Sequence, residues 1–562
     1  MIVSETETLP QVDDRGRLSV SARVSDRRRL GLLWWAAASI CAFALLPILQ
    51  IAAALFAPAP EVWAHVGPLL PRLTLNTVGL VSGVVLGTGV VGTALAGLTA
   101  LCEFPGRRFF SWALMLPLAI PAYVLGFVIV GVFDFSGPIP STWRGWFGEG
   151  AWFPPIRSTS GVILALTLSL YPYVYLLARN AFMTQSGRAL EAARSLGETA
   201  WGAFFRVALP MARPWIGAGL MLVVMETLAD FGAVSVFNYE TFTTAIYKAW
   251  FGLFSLTAAA QLASFLVLFA LLALTLEQRQ RARQRYFLSA RSGNGTRPIR
   301  LDGTHGWFAC AFTGFVLTLA FVVPLLQLLI WSAEVFVSDW DERFTDYLFN
   351  TLIMAAAGAL LIVAAALTLS LVKRRYGDWK AGLMVRLATL GYSLPGTVLA
   401  VGIFMPLAWL DNRLIDAANS LFDVELTPVF GGGLAALLLA YLIRFLAVGF
   451  GAADSALHRI TPSMEEASRS LGVAGFEMLR RVHLPLLRGG LLGAFLLAFV
   501  DILKEMPITL LMRPFGWDSL AVRIFEMTSE GEWQRAALPA VVLVLAGLLP
   551  IFLLVRASEA ER

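Results

Sequence analysis

The chain has 562 residues, of which 58% are hydrophobic and only 14% charged, whereas soluble domains run at about 45 to 50% apolar and about 25% charged. The net charge is +5, but the cations lie between apolar runs, and Cys41, Cys102 and Cys310 form neither a CxxC nor an even framework. These features exclude a water-soluble enzyme, speak against a disulfide scaffold or cysteine metal site, and make lipid the solvent for much of the surface.

In chain order, a basic segment (Arg15, Arg17, Arg23, Arg27 to Arg29) precedes an apolar run at 30–56. That run exceeds a signal-peptide core of about 7 to 15 residues and is expected to remain as a membrane span. Further runs fall at 73–101, 109–133, 160–182, 214–237 and 253–276, then at 306–332, 348–372, 383–410, 431–453, 489–512 and 536–556. Each is long enough, at about 1.5 Å per residue, to cross about 30 Å of hydrocarbon. The prediction is an all-α polytopic membrane protein of about 12 transmembrane helices.

The runs divide the chain into a tail at 1–29, a first half at 30–276, a linker at 277–305, a second half at 306–556 and a tail at 557–562. The linker reads EQRQRARQR and then SARSGNGTRP, the composition of a flexible segment beside anionic lipid. Placing both termini in the cytoplasm puts 31 of the 43 Lys and Arg on the inner side, counting Arg179 and Arg556 at the inner ends of their spans, and 9 outside, as the positive-inside rule requires.

The halves repeat. Residues 191–213 (EAARSLGETAWGAFFRVALPMAR) align without a gap with 466–488 (EASRSLGVAGFEMLRRVHLPLLR), matching at 11 of 23 positions. Asn76-Thr77 with Asn350-Thr351, and Pro121 with Pro395, keep the register elsewhere at an offset of 274. Each unit has an even number of spans, so the halves run parallel, as in a two-lobed transporter with its path between lobes.

The best-matched segments lie in loops, about 183–213 and 455–488, on the expected cytoplasmic face. EAARSL predicts a short helix, Gly197 its turn or cap, and the following residues a second helix that ends at a Leu-Pro step before the next span. Glu191, Ala192, Ala193, Gly197, Leu209 and Pro210 resemble the EAA loop of ABC importer permeases, and Glu466, Ala467, Gly472, Leu484 and Pro485 repeat it with Ser468 at the second alanine. The resemblance implies the type I importer permease fold and a surface that docks two copies of a cytoplasmic ATPase.

The stretches ADFGAVSVFNYETFTTAIYKAWFGLFSLTAAAQLA (229–263) and LKEMPITLLMRPFGWDSLAVRIFEMTSEGEWQRAALPA (503–540) resemble the fused permeases of ferric-iron ABC importers. That likeness implies a bacterial inner-membrane protein served by a periplasmic or lipid-anchored ferric-binding protein. The same loop would serve permeases for a polyamine, thiamine, sulfate or phosphonate, and twelve spans with buried carboxylates also suit an ion-coupled secondary transporter.

Four acidic residues fall inside spans: Glu226 and Asp230 in the fifth, Asp501 and Glu505 in the eleventh. Their i, i+4 spacing places each pair on one helix face near the midplane, where insertion costs about 2.5 to 3.5 kcal/mol per charge. One reading is a carboxylate-lined path, whose hard oxygen donors suit Fe(III). The other is a scaffold of hydrogen-bonded carboxyls partnered by Lys504 or backbone. A high-affinity metal site is not expected in either.

The sequence contains no GxxxxGK[ST] phosphate loop, so ATP and magnesium are expected on a separate subunit, and this chain is expected to be neither an enzyme nor the holder of a cofactor. Gly87 to Gly92 match G-x-G-x-x-G but lie inside the second span, where small residues pack helices. The four histidines show no metal spacing, and His483 is expected at the surface.

Overall fold

The computed structural model describes residues 20–58, 63–64, 66–185, 187–284, 299–422, 430–473 and 475–560. Most of the expected N-terminal tail and half of the linker lie outside them. Among the described residues, eleven helices are long and apolar enough to cross a membrane, and the helix Trp533–Ala560, apolar over Trp533–Leu548, stands in the place of the twelfth span. The only strands described are two-residue pieces, in which Cys102 and Glu103 pair in parallel with Ile299 and Arg300. The linker therefore opens as a continuation of the helix Leu256–Gln284 and closes tethered to the first half.

Both halves use the same packing. The second span helix, Leu70–Leu101, lies on the fourth, Thr159–Gln185, just as the eighth, Glu342–Tyr376, lies on the tenth, Leu434–Leu457. Glycines permit the first of these approaches. A Cβ on Gly92 would stand 2.8 Å from the Val174 side chain and 3.0 Å from the Tyr171 carbonyl, and one on Gly87 would meet Thr167. The G-x-G-x-x-G match is therefore a helix-packing seam.

The halves also exchange helices. The first span helix, Val20–Ala54, packs on the ninth, Gly396–Phe422, in the other half, and Val323–Asp339 of the seventh packs on Ala122–Phe133 of the third. Gly402 faces Pro47, and Gly131 faces Trp331 and Trp533, so close that a methyl group would not fit. The periodicity of the runs carries no sign of this exchange.

Four spans differ from the uninterrupted helices expected. The third and ninth each break before a proline. Ile120 (φ −93°, ψ 119°) and Leu394 (φ −96°, ψ 139°) are extended, because the ring of Pro121 or Pro395 disfavours helical geometry in the residue before it. The helices restart at Ala122 and Gly396. The fifth and eleventh stop at Ala229 and Leu503, and short helices Gly232–Val236 and Pro507–Met512 follow.

Candidate functional site

The two EAA loops have one architecture. Helices Gly187–Ser195 and Pro462–Ser470 both end in a Schellman turn. Gly197 N–H donates to Arg194 O and Glu198 N–H to Ala193 O, each at 3.0 Å. In the second copy Gly472 N–H donates to Arg469 O and Val473 N–H to Ser468 O, again at 3.0 Å. The glycines sit at φ +94° and +82°, a left-handed conformation that a Cβ disfavours.

Beyond each turn a helix runs unbroken into the next span, so the Leu-Pro pair is not the step expected. It lies inside continuous helix, directly after a π-turn at Phe204–Ala208 or Leu479–His483. The cause is the proline, which donates no N–H and crowds the carbonyl four residues back; widening the preceding turn relieves both. The pattern recurs at Thr318–Val322 before Pro324.

Burial sorts the motif by face. Glu191, Ala192, Glu466 and Ala467 are exposed, whereas Ala193 and Ser468 are buried. Ser468 Oγ donates to Val473 O at 3.1 Å, so the departure from the motif in the second copy falls on the packed face and satisfies its own hydroxyl. Leu196 and Leu471 are 86% and 82% exposed, and Trp201 and Phe476, also 275 residues apart, are 74% and 61% exposed. Each loop thus presents an acid, an alanine, a leucine and an aromatic ring.

The four span carboxylates meet in one cavity of about 210 Å³ between the halves. Because the helix ends at Ala229, Asp230 (ψ 127°) stands in the break and does not share a helix face with Glu226. Asp230 Oδ2 accepts the Val234 N–H at 3.0 Å, and Glu505 Oε1 accepts the Ile508 N–H at 3.1 Å. Each thereby satisfies a free donor in the first turn of a short helix. Glu226 and Asp501 line the same cavity, and no hydrogen bond or ion pair joins either to another described residue.

Lys504 is not the carboxylates' hydrogen-bond partner. Its Nζ donates to Leu118 O in the other half at 3.0 Å, and Arg444 donates from Nη1 to the Leu394 carbonyl. Tyr123, 7% exposed, turns a hydroxyl without a partner toward this space, which Tyr173 and Tyr392 also line. Among the described residues no three of His, Cys, Asp or Glu converge closely enough to hold a metal ion.

The model of the family described as "Binding-protein-dependent transport system inner membrane component" matches residues 89–286 and again 358–561. The chain belongs to this family. The permease is 30% identical over 496 residues to the "Fe(3+)-transport system permease protein FbpB 2" of Haemophilus influenzae, covering 87% of this chain and 90% of that one. It is 25% identical over 488 residues to the "Thiamine transport system permease protein ThiP" of the same organism, covering 82% and 84%. To the "Ferric transport system permease protein FbpB" of Actinobacillus pleuropneumoniae it is 23% identical over 489 residues, covering 83% and 67%.

The residues alone do not single out the exposed pair Trp201 and Phe476, although the repeat register places them opposite one another. Tyr123, Tyr173 and Tyr392 carry no signal, because a tyrosine in an apolar run is ordinary core. His483, expected at the surface, is instead buried, with Nε2 3.2 Å from Glu465 Oε1. The π-turn and the packing of the loop on the body of the second half turn that position inward.

Proposed function

We propose that the permease is the membrane subunit of an ATP-binding-cassette importer that carries ferric iron into a bacterial cell. One chain supplies both halves. Each half docks one ATPase subunit through its EAA loop, at the surfaces around Glu191 and Glu466, and the opposite face receives a periplasmic or lipid-anchored ferric-binding protein. ATP and magnesium belong to the ATPase, and both termini of the permease lie in the cytoplasm. The coupling assignment rests on one observation above all: a Schellman-capped helix with the same kinds of outward-facing side chain recurs 275 residues later.

Closure of the ATPases on ATP draws the two loops together and swings the halves, so that the inter-half cavity opens to the docked binding protein. Glu226 and Asp501 line the path of the cation, while Asp230 and Glu505 hold the short helices that shape it. Oxygen donors suit a hard cation, and carboxylates that do not converge suit a passing cargo. Relatives named for Fe(3+) and ferric transport support iron, whereas the relative named for thiamine transport keeps a second cationic cargo in view.

The test is uptake of radiolabelled Fe(III), presented on its binding protein, into vesicles holding the chain and its ATPase. ATP-dependent uptake is expected in the wild type and is lost in Glu191→Ala/Glu466→Ala. Wild type that imports no iron, yet hydrolyses ATP faster with thiamine on its own binding protein, would overturn the cargo and keep the machine.

A further inference from the structure

The two EAA loops are alike on their outer faces and unlike where they join the membrane helices. Arg374, in the last turn of the eighth span helix Glu342–Tyr376, reaches two neighbouring elements. Its Nη1 donates to Leu457 O at 2.5 Å and its Nη2 to Ile460 O at 2.7 Å, at the end of the tenth span. Nη2 also pairs with Glu465 Oε1 at 2.8 Å, on the EAA helix Pro462–Ser470 itself. Glu465 is approached from two further sides, by His483 Nε2 at 3.2 Å and Arg469 Nη2 at 3.6 Å. One residue earlier, Lys373 Nζ pairs with Asp454 Oδ2 at 2.7 Å, tying the same two spans again.

The Arg374 and Glu465 side chains are only 23% and 16% exposed. At that burial an ion pair is directional, and deleting one partner strands the other charge. The planar guanidinium suits the role, because one fork addresses two carbonyls and a carboxylate at once.

At the repeat offset, the first half has Ala100, Leu190 and Ala208 in place of Arg374, Glu465 and His483, all three buried and apolar. Its EAA helix follows the fourth span almost without interruption, Thr159–Gln185 leading to Gly187–Ser195. Among the described residues, the first loop is therefore seated on apolar side chains below one span. The second is bolted to two spans by fixed bonds.

We propose that Arg374, with Glu465, is the positioning residue that transmits movement of the second EAA loop to the eighth and tenth spans, and that the two loops drive their halves unequally. This rests on the reading that the loops dock the ATPase. Displacement of the second loop carries the inner ends of both spans as one body. The first loop moves the fourth span, and its apolar seat lets neighbouring helices slide.

The test uses the complete transporter in vesicles and reads uptake per ATP hydrolysed. Glu465→Gln keeps the shape and a hydrogen-bond acceptor; Arg374→Lys keeps the charge and loses the fork. Both are expected to lower uptake per ATP about fivefold while the ATPase still co-purifies, and Leu190→Ala is expected to stay within twofold of wild type. A merely structural pair would lower the melting temperature and leave that ratio unchanged, which overturns the proposal. An equal loss in Leu190→Ala overturns the inequality of the loops. Loss of ATPase binding in Glu465→Gln alone would make the residue part of the docking surface and also overturns it. Failure of the wild-type chain to retain the ATPase would overturn the docking reading itself, and the joint with it.

Discussion

Lys504 Nζ and the Leu118 carbonyl, 3.0 Å apart, join the C-cap of the eleventh span to a 3-10 turn in the opposite half. The bond is one-sided, because the equivalent of Lys504 in the first half is Ala229. A hydrogen bond from a charged donor contributes about 1.5 to 3 kcal/mol, enough to hold two halves of a switching protein in one arrangement. Lys504→Met keeps the length of the stem and removes the donor. ATP hydrolysis by the reconstituted complex without binding protein is expected to rise about tenfold. An unchanged basal rate with reduced uptake would place Lys504 on the cargo path and not at a latch.

The carboxylates divide into two classes with different expected phenotypes. Asp230→Ala and Glu505→Ala each remove an acceptor that satisfies a helix N–H, a contribution of about 0.5 to 2 kcal/mol. They are expected to lower the melting temperature in detergent and to reduce uptake only in proportion to folded protein. Glu226→Gln and Asp501→Asn disturb no described hydrogen bond and are expected to leave melting unchanged while uptake falls at least tenfold. Equal melting losses in all four variants would make every carboxylate scaffold.

Gly197 and Gly472 hold φ +94° and +82° with no atom near the place a Cβ would occupy. Substitution therefore tests backbone strain alone. Alanine in a left-handed turn costs about 1 kcal/mol or slightly more, and the strained turn would reposition the exposed leucine beside it. Gly197→Ala and Gly472→Ala are each expected to weaken ATPase binding about fivefold in a titration against purified ATPase, with membrane insertion unchanged. Undiminished affinity in both would remove the loops from the docking surface.

Much of this architecture is legible in the residues. Apolar runs mark the spans, the 275-residue register locates the loops, and Gly197 announces its cap. The breaks at Pro121 and Pro395 escape because run length is blind to a single extended residue such as Ile120 inside an otherwise apolar stretch. The exchange of the first and seventh spans escapes for another reason: Gly402 and Gly131 look like any small residue until Pro47 and Trp331 stand against them. The i, i+4 spacing misleads at Asp230 and Glu505 because both residues lie beyond the ends of their helices, at Ala229 and Leu503. It still collects four groups that share one cavity, since both helix ends point there.

The glycines of the second span separate packing from propensity within one helix. At Gly79 no atom lies within 4 Å of the place a methyl group would take, whereas at Gly92 that place is 2.8 Å from Val174 and 3.0 Å from the Tyr171 carbonyl. Gly79→Ala removes backbone entropy from the unfolded chain at no steric cost, a gain of about 0.5 to 1 kcal/mol. Gly92→Ala forces the second and fourth spans apart, and overpacking of this kind costs about 1 to 3 kcal/mol. Thermal unfolding in detergent is expected to rise slightly for the first variant and to fall by several degrees for the second. A Gly92→Ala protein as stable as wild type would mean that the two helices do not touch along this seam.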